Sequence, residues 1–251
     1  MGALIGTSWK MNLTPSEAAD WFRAAVPRLT DVVDRELFVL PPFPSLVAAR
    51  DALTGTNVGW GAQDVHPSDG GPHTGDVSAP MLADLGCRYV EIGHSERRRD
   101  HGESNGLIAA KVAAALRWGL TPIVCVGERR PAPIATVRRI LSRQLSGGLG
   151  GLRSEELATV VVAYEPVWAI GVGAAAAPEA HIATAHAAIR AWLAGRGAKA
   201  PRVIYGGSVD ARNAASILAL PCVDGLFVGR AALDPAVFAR IAGLPISYPE
   251  G

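Results

Sequence analysis

The sequence is poor in the residues that build disulfide-bonded or metal-bound folds. Its three cysteines, Cys87, Cys125 and Cys222, are far apart, and it contains no C-x-x-C pair. This excludes a disulfide framework or a zinc knuckle, so we expect three reduced thiols. None of the six histidines belongs to an H-E-x-x-H or similar ligand pair. We therefore expect no metal site.

The chain also lacks long apolar runs and a clear excess of charge of either sign. No run approaches the roughly 20 apolar residues of a membrane-spanning helix. The first ten residues do not have the basic-then-apolar pattern of a signal peptide. Lys and Arg number 24 and Asp and Glu number 23, which gives a formal net charge of +1. We expect a cytoplasmic protein that binds neither nucleic acid nor a membrane.

What the sequence does have is short apolar segments that alternate with segments of helical spacing, as in Ile108, Val112 and Ala115. Eight apolar segments predict strands, at 3–6, 37–40, 58–61, 89–92, 121–126, 160–164, 203–205 and 226–228. Buried strands separated by helices indicate an α/β protein with a parallel sheet. Eight such units in 251 residues predict a closed (β/α)8 barrel, one domain over 1–251.

Two details of this fold prediction are open to test. A doubly wound open sheet is the alternative architecture, but no G-x-G-x-x-G follows the first strand to indicate a dinucleotide site. The glycine-rich stretch 146–151 predicts a loop between a helix and the sixth strand.

Glu165 comes directly after the sixth predicted strand, and a proline-anchored, glycine-rich segment follows it. A carboxylate in this place is suited to act as a general base under a flap. A solvated glutamate at the end of a buried strand is the alternative interpretation.

In a (β/α)8 barrel, residues after the carboxyl ends of the strands meet at one mouth. Lys10 follows the first strand, His94 and Glu96 follow the fourth, and Glu165 follows the sixth. Glycine-bearing turns follow the seventh and eighth strands. A lysine, a histidine, a glutamate and these turns in one pocket indicate proton transfer on a small anionic substrate.

Six motifs in this order resemble those of the triosephosphate isomerase family. They are WKMN at 9–12, GAQ at 61–63, GHSERR at 93–98, CVGE at 125–128, YEPVWAIG at 164–171 and YGGSV at 205–209. The resemblance implies the TIM barrel fold and a place in glycolysis and gluconeogenesis. It also implies an aldose–ketose isomerase that needs neither a metal nor a cofactor.

The resemblance assigns roles to individual residues. Glu165 is the expected base, His94 the expected neutral electrophile, and Lys10 a fixed positive charge that Glu96 orients, unless Glu96 only caps a helix. The substrate phosphate is expected on backbone amides at turns and helix starts. The matching positions are Gly171, Ser208, Gly229 and Arg230. The segment 171–173 is the expected lid tip, with hinges at 166–168 and 174–176.

Ser8 and Arg230 depart from the family's usual pattern, in which asparagine precedes the tryptophan and the last phosphate turn reads Gly-Gly. Ser8 and the pair Gly229-Arg230 are similar to relatives that convert erythrulose 1-phosphate to erythrose 4-phosphate. The expected substrate is a triose phosphate, with this tetrulose phosphate as the alternative. A non-catalytic phospholigand-binding barrel is an alternative of another class. The family also implies a homodimer in which the loop with Thr74 inserts beside the partner's lysine.

Overall fold

The computed structural model of the chain describes residues 2–171 and 173–244. Within them, eight parallel strands form a closed barrel in sequence order. The strands are β1 (Leu4–Ser8), β2 (Glu36–Leu40), β3 (Val58–Ala62), β4 (Tyr89–Ile92), β5 (Thr121–Val126), β6 (Val161–Tyr164), β7 (Arg202–Tyr205) and β8 (Gly225–Val228). The (β/α)8 barrel prediction is therefore confirmed, and the doubly wound alternative is wrong. The single-domain prediction over 1–251 includes Met1, Val172 and 245–251, which lie outside the described residues.

Helices follow the strands and cover the outside of the barrel. They are α1 (Pro15–Leu29), α2 (Leu46–Leu53), α3 (Ala79–Asp84), α4 (Ser95–Asp100), α5 (Asn105–Arg117), α6 (Ile134–Leu149), α7 (Ser154–Leu157), α8 (Glu179–Ala194), α9 (Ala214–Leu218) and α10 (Pro235–Ala242). Short 3₁₀ turns occur at Phe43–Ser45, Val167–Ala169 and Arg230–Leu233. Among the described residues, none of these helices combines the length and the apolar character that crossing a bilayer requires.

Helix α1 shows how the sequence fixes a helix start. Thr14 Oγ1 accepts from the Glu17 amide at 3.4 Å, and Glu17 Oε2 accepts from the Thr14 amide at 2.8 Å. This reciprocal capping box satisfies two backbone donors that the first turn leaves free. Pro15 occupies the first helical position, where a missing N–H costs nothing.

The strand ladders differ in length around the barrel. The β1–β2 ladder runs from the Leu4–Glu36 pair to the Ser8–Leu40 pair, whereas β7 and β8 share only the Tyr205–Leu226 pair. The β1–β8 ladder closes the barrel. The side chain of Asp224 supplements the short β7–β8 joint, because its Oδ2 accepts from the Val203 amide at 2.7 Å.

Large apolar side chains fill the barrel interior. The Phe38 ring lies 4.9 Å from the Tyr89 ring and 5.6 Å from the Phe227 ring. Gly6 provides the room, because a Cβ there would lie 2.1 Å from the Phe38 ring. A second and larger core lies between the strands and the helices. The interior is therefore a packed core and not a pore.

The predicted loop at 146–151 is wrong for most of its length. Helix α6 continues to Leu149, and Gly150 is its C-cap. A Cβ on Gly147 would lie 2.7 Å from the Asn105 side chain, and one on Gly148 would lie 3.3 Å from Ile108. These glycines therefore allow α6 to pack closely on α5, and packing outweighs their poor helix propensity.

Candidate active site

The carboxyl ends of β1, β4 and β6 bring Lys10, His94 and Glu165 to one mouth of the barrel. Glu96 joins them from the first turn of α4. The prediction that these four side chains meet is supported by three contacts. Lys10 Nζ lies 2.7 Å from Glu96 Oε1, His94 Nδ1 lies 3.5 Å from Glu96 Oε2, and His94 Nε2 lies 3.4 Å from Glu165 Oε2.

Lys10 has a left-handed backbone, with φ of +55°, which is uncommon for a residue with a side chain. Its neighbours hold it there. The Trp9 amide donates to Leu40 O at 3.1 Å, and Asn12 Nδ2 donates to Trp9 O at 2.6 Å. The Trp9 ring is buried against Trp21, with ring centroids 4.8 Å apart. Backbone strain of this kind persists where the surroundings fix it, and it is frequent at functional sites.

His94 is neutral and presents an N–H to Glu165. It is the N-cap of α4, and its Nδ1 accepts from the Glu96 amide at 3.2 Å. The hydrogen of the neutral ring is therefore on Nε2, the atom that faces Glu165. Burial lowers the pKa of His94 to about 4, and the nearby Lys10 charge adds to this effect although Glu96 opposes it.

Glu165 is a buried carboxyl whose Oε2 has no hydrogen-bond partner. Burial raises its pKa well above the ordinary value, the charge of Glu91 adds to this, and Lys10 opposes it. Two glycines make room for it. A Cβ on Gly206 would lie 2.7 Å from Glu165 Cγ, and one on Gly127 would lie 1.9 Å from the Glu165 carbonyl oxygen.

Glu96 has an ionised carboxyl that holds the lysine. Burial favours its neutral form, but the hydrogen bond from Lys10 and the charges nearby outweigh burial and lower the pKa of Glu96. The expected pairing of Glu96 with Lys10 thus has a structural basis, whereas the N-cap of α4 is His94 and not Glu96.

Glu91 is a site residue that motif reasoning missed. It lies in the middle of β4 and is 3% exposed. Ser8 Oγ donates to its Oε2 at 2.7 Å. An acidic residue two positions after Tyr89 in an apolar strand is the signal that could have placed it in the barrel interior, since alternate residues share a face.

Three buried side chains could in principle also hold a cation. Glu91, His94 and Glu165 each present a ligand atom within 4.8 Å of the others. A histidine ligates a metal through a nitrogen without hydrogen, whereas Nε2 of His94 carries the hydrogen. The Lys10 ammonium already supplies positive charge here. The arrangement therefore favours proton transfer over metal binding.

The segment after Glu165 is anchored at both ends. Trp168 Nε1 donates to Glu128 Oε1 at 2.7 Å, and Glu128 also accepts from Tyr164 Oη at 3.0 Å. At the other end, the Ala177 amide donates to Tyr205 Oη at 3.1 Å. Between the anchors, Gly171 is exposed with φ of +126°. Val172, the middle residue of the expected lid tip 171–173, lies outside the described residues.

The predicted phosphate positions follow β6, β7 and β8. The amide and the hydroxyl of Ser208 both donate to Ala169 O at 2.9 Å, so both are engaged within the protein. Gly229 precedes the 3₁₀ turn Arg230–Leu233, and the Arg230 side chain is exposed. A cavity of about 270 Å³ opens beside Glu165, towards Arg98, Arg99 and Arg129.

The loop with Thr74 is exposed from 71 to 76. The rings of His66 and His73 are 4.0 Å apart, and His66 Nε2 lies 3.6 Å from Asp76 Oδ2. The Ser68 amide donates to His66 Nδ1 at 3.1 Å, so the hydrogen of neutral His66 is on Nε2. These contacts of His66, His73 and Asp76 therefore stabilise the loop. Because both nitrogens of His66 are engaged in this way, the arrangement does not favour His66 as a metal ligand.

Comparisons with known proteins give matches over nearly the whole chain. The family model described as "Triosephosphate isomerase" matches residues 3–244. The triosephosphate isomerase of Thermus thermophilus is 47% identical, with 96% of this chain and 98% of that protein covered. The triosephosphate isomerase of Mycobacterium tuberculosis is 46% identical, with 98% and 97% covered. A crystal structure of triosephosphate isomerase from Bartonella henselae is similar with a TM-score of 0.84 at 36% identity, covering 96% of this chain and 98% of that one.

Proposed function

The chain belongs to the triosephosphate isomerase family, and we propose that it interconverts dihydroxyacetone phosphate and glyceraldehyde 3-phosphate through an enediolate. One observation carries the proposal. A buried, unpartnered oxygen of Glu165 faces the N–H of a neutral His94, with Lys10 fixed beside them on Glu96. This arrangement serves proton transfer next to a carbonyl and needs no redox group, because the reaction is an internal rearrangement.

Glu165 is the base in this mechanism. It removes a proton from the carbon next to the substrate carbonyl and returns it to the neighbouring carbon. Burial raises its pKa, which makes its ionised form a stronger base than a solvated glutamate.

His94 and Lys10 stabilise the oxygen on which negative charge develops. The Nε2–H of His94 donates to that oxygen, and a pKa of about 4 keeps the ring neutral at physiological pH. Lys10 supplies a fixed cation, and its hydrogen bond to Glu96 orients it before the substrate arrives. Such preorganised donors often make the largest contribution to catalysis.

The phosphate binds at the turns after β6, β7 and β8, at Gly171, Ser208, Gly229 and Arg230. Ser208 uses both donors on the Ala169 carbonyl, so phosphate at this turn competes with that pair or uses the neighbouring amides. Phosphate binding is thereby linked to the position of the 3₁₀ turn Val167–Ala169, and so to closure of the lid over the enediolate.

The test is turnover of dihydroxyacetone phosphate in a coupled assay, with Glu165→Gln as the variant. We expect wild-type turnover, loss of turnover in the variant, and retained binding of a phosphate analogue. Turnover by Glu165→Gln at the wild-type rate would contradict the proposal. A wild-type protein that binds the analogue but converts no small aldose or ketose phosphate would favour the non-catalytic phospholigand-binding barrel.

Erythrulose 1-phosphate is a second candidate substrate, and one contact favours it. The Ser8 hydroxyl donates to Glu91 in the barrel interior, and serine is shorter than the asparagine usual in the family. We infer that the shorter side chain leaves room for one more carbon. The measurement is kcat/KM for both substrates in wild type and in Ser8→Asn. A wild-type preference for the triose phosphate rules out the tetrulose assignment.

We further propose a cytoplasmic homodimer that docks through the Thr74 loop. The loop is exposed from 71 to 76, and the apolar side chain of Met11, next to Lys10, is 96% exposed. Free thiols at Cys87, Cys125 and Cys222 support a reducing compartment. Sedimentation at several concentrations tests the dimer, and a fully active monomer would contradict it.

A further inference from the structure

The buried carboxyl of Glu91 accepts two side-chain hydrogen bonds close to the catalytic carboxyl. Ser8 Oγ donates to Oε2 at 2.7 Å, and Cys125 Sγ approaches Oε1 at 3.7 Å. Both oxygens of Glu91 therefore accept from donors, which favours the carboxylate over the neutral acid. Oε2 of Glu165, in contrast, has no hydrogen-bond partner and faces only the His94 ring at 3.4 Å, although the Cys125 thiol also interacts with the Glu165 carboxyl.

The two carboxyls belong to one cluster. Glu91, His94 and Glu165 present atoms within 4.8 Å of one another, and both glutamates are almost fully buried, at 3% and 4% exposure. Two like charges this close, away from water, oppose each other's ionisation, so the second proton is lost at a higher pH than the first.

The charged and titratable groups that face this pair come from three parts of the chain. Lys10 approaches from the turn after β1, Cys125 from β5, and His94, Glu96 and Arg98 from α4 and its N-cap. Lys10 and Arg98 favour ionisation of Glu165, whereas Glu91 and Glu96 oppose it. Of these four ions, Glu91 is the most deeply buried, so its charge is the least screened by water.

We propose that Glu91 is a positioning residue for catalysis: its charge, held by Ser8 and Cys125, makes Glu165 a stronger base and sets the pH above which the enzyme works. Glu91 does not touch the reacting carbons in this scheme, and it acts only through Glu165. The inference rests on the proposed function, because it assigns Glu165 as the base. Burial raises the pKa of Glu91 to about 7, although the hydrogen bonds from Ser8 and Cys125 oppose the rise. Burial and the charge of Glu91 raise the pKa of Glu165 well above its ordinary value. These directions are consistent with Glu91 ionising first.

The pH profile of kcat/KM tests the proposal. In Glu91→Gln, a variant of nearly the same shape, the ionisation of Glu165 is no longer opposed by a neighbouring charge. The acid limb should therefore move to lower pH by about one pH unit or more, and the plateau should fall because the base is weaker. A variant that is less stable but keeps the wild-type acid limb would show a merely structural role and overturn the proposal.

Glu36→Gln is the matched control. Glu36 is a carboxylate at the opposite end of the barrel, where it pairs with Arg88 and Arg202. Its loss should lower the melting temperature and leave the acid limb unmoved. An equal shift of the limb in Glu36→Gln would mean that any lost carboxylate has this effect, which would also overturn the proposal.

A titration that needs no turnover separates this inference from the proposed function. Carboxyl ¹³C resonances of labelled protein are followed against pH, with Glu91→Gln and Glu165→Gln for assignment. We expect the Glu165 resonance to titrate at lower pH in Glu91→Gln than in wild type. If this shift occurs in a protein without isomerase activity, only the proposed function fails. If an active enzyme shows independent titrations, only the role of Glu91 fails.

Discussion

Gly206→Ala should impair catalysis without harming the fold. A Cβ at this position would lie 2.7 Å from Glu165 Cγ and 2.8 Å from its Oε1. The obstacle is a movable side chain and not backbone, and φ of Gly206 is not in the left-handed region. The substitution is therefore accommodated by moving the base.

The size of the effect follows from the displacement. Ordinary van der Waals contact begins near 3.4 Å, so Glu165 Cγ must move by about 0.7 Å. Misplacing a catalytic group by about 1 Å costs on the order of 100-fold in rate. We expect kcat to fall by roughly 100-fold, which corresponds to about 3 kcal/mol of barrier. The free energy of unfolding should change by less than about 1 kcal/mol.

Steady-state kinetics and urea unfolding of the same preparations check this prediction. Gly106→Ala is the control, because the nearest atom to a Cβ there is Ser104 Oγ at 3.8 Å. It should keep wild-type kcat and gain up to about 1 kcal/mol of stability from helix propensity. A Gly206→Ala enzyme with wild-type kcat would refute the reasoning, and so would a loss of activity explained entirely by unfolding.

Two further predictions concern stability. Burial lowers the pKa of His186 to about 4. The stabilisation that the neutral ring contributes is therefore complete above the pKa of the unfolded state, near 6.5, and is lost as pH falls towards 4. His186→Phe should therefore flatten the decline in melting temperature over this range, and an unchanged decline would contradict the assignment. Lys111→Met removes the buried partner of Glu103 and Asp64, each 2.6 Å from Lys111 Nζ, and should cost about 3–5 kcal/mol in urea unfolding. The exposed pair of Arg23 and Asp20 is its control, because Arg23→Ala should cost less than about 1 kcal/mol; equal losses would show that burial does not decide the effect.

The strands were predictable because apolar runs buried on both faces are a strong and local signal. All eight lie within two residues of their predicted ends, and β4 and β5 match fully. The glycines of 146–151 were misjudged because their role is close packing against α5, a long-range contact that composition does not contain. The low helix propensity of glycine predicted a loop, whereas packing against α5 favours the helix.

The site was predictable as far as it follows from strand ends and motifs. Lys10, His94, Glu96 and Glu165 were placed together on that basis, and their contacts agree with it. The hydrogen bond from Ser208 to the Ala169 carbonyl and the contacts of Glu91 with Ser8 and Cys125 could not be predicted, because neither follows from a strand end or from a motif. The assignment of catalytic roles remains a prediction that the variants above will test.

The barrel closes through joints of two kinds. Between β1 and β2 the backbone supplies the connection along five paired positions. β7 and β8 share one paired position, and Asp224 adds contacts to Val203 through both its amide and its carboxylate. Asp224 accepts from the Val203 amide, and Arg190 holds that carboxylate in turn. Protection of the Val203 amide from hydrogen exchange therefore depends on a side chain and not only on the neighbouring strand. The turns proposed to bind phosphate follow the same two strands, so we expect a bound anion to connect β7 and β8 where they share one paired position.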